Sequence, residues 1–86
     1  MPKISEFYGI KIAMWPHEHG VPHFHASYEG NVASISIATL EVLEGGIKAR
    51  ALVMVRDWAP AHRAELMAAW NALRGGNMPE KIEPLD

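Results

Sequence analysis

The hydrophobic pattern changes period once along this chain, and that change limits the fold to a sheet followed by helix. Taken across a turn at Gly30-Asn31, Phe24, Ala26, Tyr28, Ala33, Ile35 and Ile37 share one face, and His23, His25, Ser27, Ser34 and Ser36 share the other. Successive side chains of a strand point to opposite faces, so the first set is a core face and the second a wet one. From Ile47 to Leu73 the apolar residues recur at steps of three and four instead: Leu52, Val55, Ala59, Leu66, Ala69 and Leu73, with Trp58 and Trp70 beside them. That is the buried stripe of an amphipathic helix.

Local signals place the elements. Phe7 to Trp15, with Ile10, Ile12 and Met14 alternating, predicts a first strand, and Pro16, Gly20 and Pro22 turn the following stretch into a loop. His23 to Glu29 and Val32 to Ile37 predict a hairpin, with Gly30 at the first position of a type II′ turn. Glu41 to Glu44 adds a short fourth strand before Gly45-Gly46. Within the helical segment, Pro60 would lose a hydrogen bond and clash with the Arg56 carbonyl, costing about 3 kcal/mol. Asp57 as the N-cap of a second helix places Pro60 in a first turn, which needs no intrahelical donor, so a kink or break is expected near Asp57. Arg74-Gly75-Gly76 is the stop signal, and residues 77–86 form an extended tail with Ile82 and Leu85 able to dock. The expectation is one α+β domain over residues 1–86. A small antiparallel sheet of three to four strands (about 4–46) precedes one kinked or two consecutive helices (about 47–74) packed on one face.

Composition excludes several chemistries. The chain of 86 residues has no cysteine, so disulfides, thiolate zinc sites and thiol nucleophiles are ruled out. No apolar run approaches the roughly 18 residues of a membrane span, and Met-Pro-Lys opens no signal-peptide core, so a soluble cytoplasmic protein is expected. So small a core, with Trp15, Trp58 and Trp70, makes a homodimer or partner complex a fair expectation. Lys48, Arg50, Arg56, Arg63 and Arg74 make the helical segment basic, but at a net charge of −2 a solvated face is favoured over nucleic-acid contact. Phosphate-cradling glycine loops and nucleophile-elbow serines are missing, and Trp58 and Trp70 suit packing better than stacking on a ligand.

The chemistry concentrates in His17-Glu18-His19-Gly20-Val21-Pro22-His23-Phe24-His25, which holds four of the five histidines. His23 and His25 lie two apart on a strand and project from one face, a spacing that puts two imidazoles on one ion. His17 and His19 sit just upstream in a loop held by two prolines. Three neutral histidines, His19, His23 and His25, plus water would make an open tetrahedral site for a divalent transition metal, zinc favoured, with nickel or copper also suited to imidazole. Glu18 or Glu29 is the expected acceptor for an outer ring nitrogen. A phosphate site lined by the same histidines is the alternative, and a polar strand face without a ligand, carrying its histidines as surface groups, is the competing reading. His62 stands three residues before Glu65 on the helix, as a candidate acid–base pair or as a capping histidine. If the helices cover the Phe24 face, His25 points away from His62, which joins the cluster only at the sheet's edge or from a second subunit.

Ile4-Ser5-Glu6-Phe7-Tyr8-Gly9-Ile10, His19-Gly20-Val21-Pro22-His23-Phe24-His25, Thr39-Leu40-Glu41-Val42-Leu43-Glu44-Gly45 and the helical Trp58, His62-Arg63, Glu65-Leu66 and Trp70 resemble the Domain of Unknown Function 4160 family over essentially the whole chain. The Pro-His-Phe-His motif with a histidine four residues before its first histidine is the most specific mark. Family members often carry proline where Val21 stands and another residue where Pro60 stands. The resemblance implies a small bacterial protein, importance for His19, His23, His25 and His62, and a small neighbouring-gene protein as partner, in an arrangement similar to toxin–antitoxin operons. It implies no activity.

Two functions follow as expectations. One is a toxin-like nuclease or hydrolase, a phosphodiesterase using metal or histidine acid–base chemistry, with Arg56 or Arg63 neutralising phosphate. The other is a non-enzymatic partner-binding module, antitoxin-like or regulatory, using its sheet edge and tryptophans.

Overall fold

A computed structural model describes residues 2–16 and 19–86. Five strands, β1 (Lys3–Phe7), β2 (Ile10–Ala13), β3 (His23–Tyr28), β4 (Asn31–Ser36) and β5 (Val42–Gly45), form one antiparallel meander in the order β1-β2-β3-β4-β5. Then come α1 (Ala49–Trp58), a 3-10 turn (Ala59–His62) and α2 (Arg63–Arg74). The class is α+β, as expected, but the sheet has five strands rather than three or four. The extra strand, β1, lies ahead of the expected Phe7–Trp15 strand, whose central part is β2, and the two join through a turn at Tyr8-Gly9.

Both tight hairpins use consecutive residues with positive φ. Tyr8 and Gly9 sit at 50° and 80°, and Glu29 and Gly30 at 50° and 83°. These are type I′ turns, whose twist matches that of the flanking strands. The second turn is therefore Glu29-Gly30, not a type II′ turn at Gly30-Asn31, and Tyr28 pairs with Asn31. The change slides β4 along β3 by two residues. Side chains alternate with period two, so the slide leaves every residue on its expected face.

The core lies between the Phe24 face and the helical layer. Ile4, Ile10, Ile12, Met14, Phe24, Ile35, Val55 and Leu66 are fully buried. Trp58 packs between Phe7 and Phe24, with ring centroids at 5.2 and 6.3 Å. Both helical tryptophans are thus core residues. Asp57 is an ordinary residue of α1, and the irregularity falls two residues later, in the 3-10 turn with Pro60 near its start. There the absent proline N–H is one that the turn does not need. The tail docks as expected. The Ile82 N–H donates to the Ile4 carbonyl at 2.8 Å, Trp58 Nε1 donates to the Glu83 carbonyl at 2.7 Å, and Ile82 is buried. Among the described residues no helix is long and apolar enough to cross a membrane.

Candidate functional site

The site is built on a row of four strands. Ala13 pairs with His25, His25 with Ser34 and Ser34 with Glu44, so β2 to β5 set these residues side by side. They belong to the face opposite Phe24, away from the helical core. His23 and His25 come from alternate positions of β3, and their rings meet edge to face with centroids 5.4 Å apart. Trp15 approaches His25 in the same manner at 5.6 Å. His23, at the first position of its strand, also reaches Trp70 of α2 at 5.1 Å.

The loop before β3 completes the arrangement. The Pro22 carbonyl accepts from the Ile37 N–H at 3.1 Å, tying the loop to the end of β4. His23 Nδ1 lies 2.7 Å from the Val21 carbonyl. A carbonyl only accepts, so His23 Nδ1 is the donor in this contact. His25 Nδ1 lies 3.3 Å from Ser34 Oγ. His19, His23, His25, Ser34, Leu43 and Glu44 line one open hollow of about 320 Å³. The three histidines expected to act together do share one surface. His17 and Glu18 lie outside the described residues. Among the described residues, no group of three or more His, Asp or Glu could hold a metal ion.

Other expected participants have different surroundings. His62 Nδ1 contacts Glu65 Oε1 at 2.6 Å, and its ring lies against Trp58 at 5.2 Å. The two form the anticipated pair, clasping the residue before α2 to its first turn, and His62 does not line the histidine hollow. Glu29 pairs with Lys48 at the start of the helical segment. The Nε atoms of Arg56 and Arg63 donate to the carbonyls of Leu40 and Ile37 at 3.1 and 3.2 Å, so both arginines brace the β4–β5 connection. Ser34 and Glu44 were not among the residues singled out in the sequence. The expected turn placed Ser36, not Ser34, opposite His25, and Glu44 enters the row only through its pairing with Ser34.

Fold and site define a small α+β protein: an antiparallel meander with one helical layer, and histidines on the sheet face turned away from it. The chain belongs to the DUF4160 family, a domain of unknown function, whose model matches residues 9–71. No curated protein and no solved structure matches it.

Proposed function

We propose that the histidine hollow binds one divalent transition metal ion, zinc first, and that the protein is a metal-dependent hydrolase. The observation carrying this reading is the union of His19, His23 and His25 on one hollow. Two imidazoles on a tetrahedral ion, with metal–nitrogen bonds of about 2.0–2.1 Å, have ring centroids roughly 5 Å apart. His23 and His25 stand at 5.4 Å. The Val21 carbonyl on His23 Nδ1 is the outer partner that fixes a ligand's tautomer. An ion in so open a hollow retains a position for water, whose pKa a zinc ion brings to about 7, which is the requirement for hydrolysis near neutral pH. Of the hydrolytic reactions, cleavage of a phosphodiester is the first to test.

The test is nitrogen-detected NMR of the imidazoles during zinc addition to apo protein. The reading expects His23 as the Nδ1–H tautomer, with its Nε2 resonance moving on binding together with one nitrogen of His25. Unmoved His23 and His25 resonances at saturating zinc contradict it.

A partner-binding module is the second reading, favoured by the exposed Trp15, Val21 and Leu43 around the same hollow. It expects a co-purifying protein whose retention ignores chelator. A complex that dissociates when metal is removed argues against it.

A further inference from the structure

We propose that the outer edge of β5 docks a strand of a partner protein, an extended segment in which lysine or arginine alternates with apolar residues. The proposal deepens the partner-binding reading above, rests on it and makes no use of a metal. β1 and β5 are the two outer strands of the sheet, and their edges are treated differently. The tail covers β1, where the Ile82 N–H and Lys81 Nζ donate to the Ile4 and Lys3 carbonyls, each at 2.8 Å. Among the described residues no strand pairs with the outer side of β5. The backbone bonds at its two ends, from the Ser36 N–H to the Glu41 carbonyl and from the Gly46 N–H to the Val32 carbonyl, both run inward to β4. An open edge presents backbone N–H and C=O groups that another extended chain can pair with.

Charge identifies the occupant. The register slips between Ser34 and Ile35, where β5 carries an extra residue, Leu43. Glu44 pairs with Ser34 and Glu41 bonds to Ser36, so this bulge puts both acids on the histidine face of the edge. Both are exposed, and neither has an ion pair among the described residues, whereas Glu6, Glu29 and Glu65 each contact a basic side chain. Leu43 between them is 48 % exposed, and Val42, paired with Ile35 on the opposite face, is only partly buried against the core. A strand added here meets carboxylates with one face and apolar surface with the other, which selects alternating cationic and apolar residues. Two copies of β5 would instead line Glu41 and Glu44 of both chains along one short ladder, and like charges so placed destabilise pairing.

The probe is a short capped peptide of alternating lysine and valine, titrated into nitrogen-labelled protein, with a glutamate–valine peptide as its counterpart. Amide shifts and hydrogen exchange locate the contact. The lysine–valine peptide is expected to slow exchange at the β5 amides and to leave those of β1 unchanged, and the glutamate–valine peptide to affect neither. Glu41→Gln/Glu44→Gln should weaken binding about five-fold or more. The tail variant Glu80→Gln/Glu83→Gln, with the same loss of charge, should match wild type, and circular dichroism checks the fold of both. Equal weakening in the two variants, or binding without protection of β5, overturns the edge site and leaves the partner-binding reading to the chelator test above. No binding at millimolar peptide overturns the edge site as well. A wild-type dimer in sedimentation, with β5 amides already protected and released on dilution, assigns the edge to a second copy and also overturns the proposal.

Discussion

His23 and His25 face each other at 5.4 Å because one residue of β3 separates them, and that residue, Phe24, is fully buried beneath the sheet. The strand period that sends Phe24 into the core sends both imidazoles to the opposite face. Site and core are two sides of one element. Changing His25 therefore leaves the core intact, whereas His23 also packs on the buried Trp70. Zinc at a hundred times its dissociation constant should stabilise wild type by about 2.7 kcal/mol. His25→Ala should keep the wild-type circular dichroism spectrum and lose most of that gain in thermal melts with and without zinc. An equal zinc-induced rise in both proteins contradicts the assignment.

Gly45 is required at the end of β5. Its φ is 72°, and a Cβ there would collide with the Val32 carbonyl oxygen. Backbone cannot yield as a flexible side chain does, so Gly45→Ala should destabilise by about 2–4 kcal/mol. Gly46, with open space around it, is the matched control, since Gly46→Ala should stay within about 1 kcal/mol. Urea unfolding of the two variants decides this, and equal midpoints would show that the β4–β5 edge relaxes.

Trp58 ties the tail to the core through its bond to the Glu83 carbonyl. Trp58→Phe keeps an aromatic ring against Phe7 and Phe24 but removes the donor. A loss of about 1–2 kcal/mol is expected, with faster amide exchange at Ile82, whose N–H bonds to Ile4. Unchanged exchange there would mean that the tail is held without Trp58.

The β3–β4 turn is pinned to the start of the helical segment by Glu29 with Lys48 and by the Tyr28 hydroxyl, which accepts from Arg50. The hydrogen bond from Lys48 is the main cause that holds the Glu29 carboxyl below its ordinary pKa. A carboxylate depressed in the folded state stabilises fully above its unfolded pKa, and that contribution fades as pH falls through the folded value. Lys48→Met should move the Glu29 titration, followed by carbon NMR, up toward the ordinary glutamate range, and added salt should move it in the same direction. A Glu29 titration indifferent to Lys48 removes the pairing.

Much of this arrangement is legible in the residues. Alternation through β3 and β4 defines the two faces even though the observed turn lies one residue before Gly30-Asn31, because a two-residue slide preserves parity. The same slide hid Ser34, since it put Ser36 opposite His25. The N-terminal hairpin has a weak sequence signal for another reason. Tyr8-Gly9 carries only one of the usual turn residues, and Phe7, Ile10, Ile12 and Met14 around it read as a single strand. Pro60 announced an irregular helix, but its place depended on packing. Trp58 and Ala59 are both buried, so the chain stays helical through Asp57 and tightens only at the 3-10 turn. Glu44 had no local signal at all, because its place beside the histidines is a product of strand pairing.

The most direct test of the histidine site is the metal content of tag-free protein, purified without a nickel column, beside the His23→Ala/His25→Ala variant. Elemental analysis should find close to one equivalent of zinc or another divalent transition metal in wild type and a trace in the variant. Equal metal in both, or none in wild type even after exposure to zinc and dialysis, would contradict a metal site in the histidine hollow.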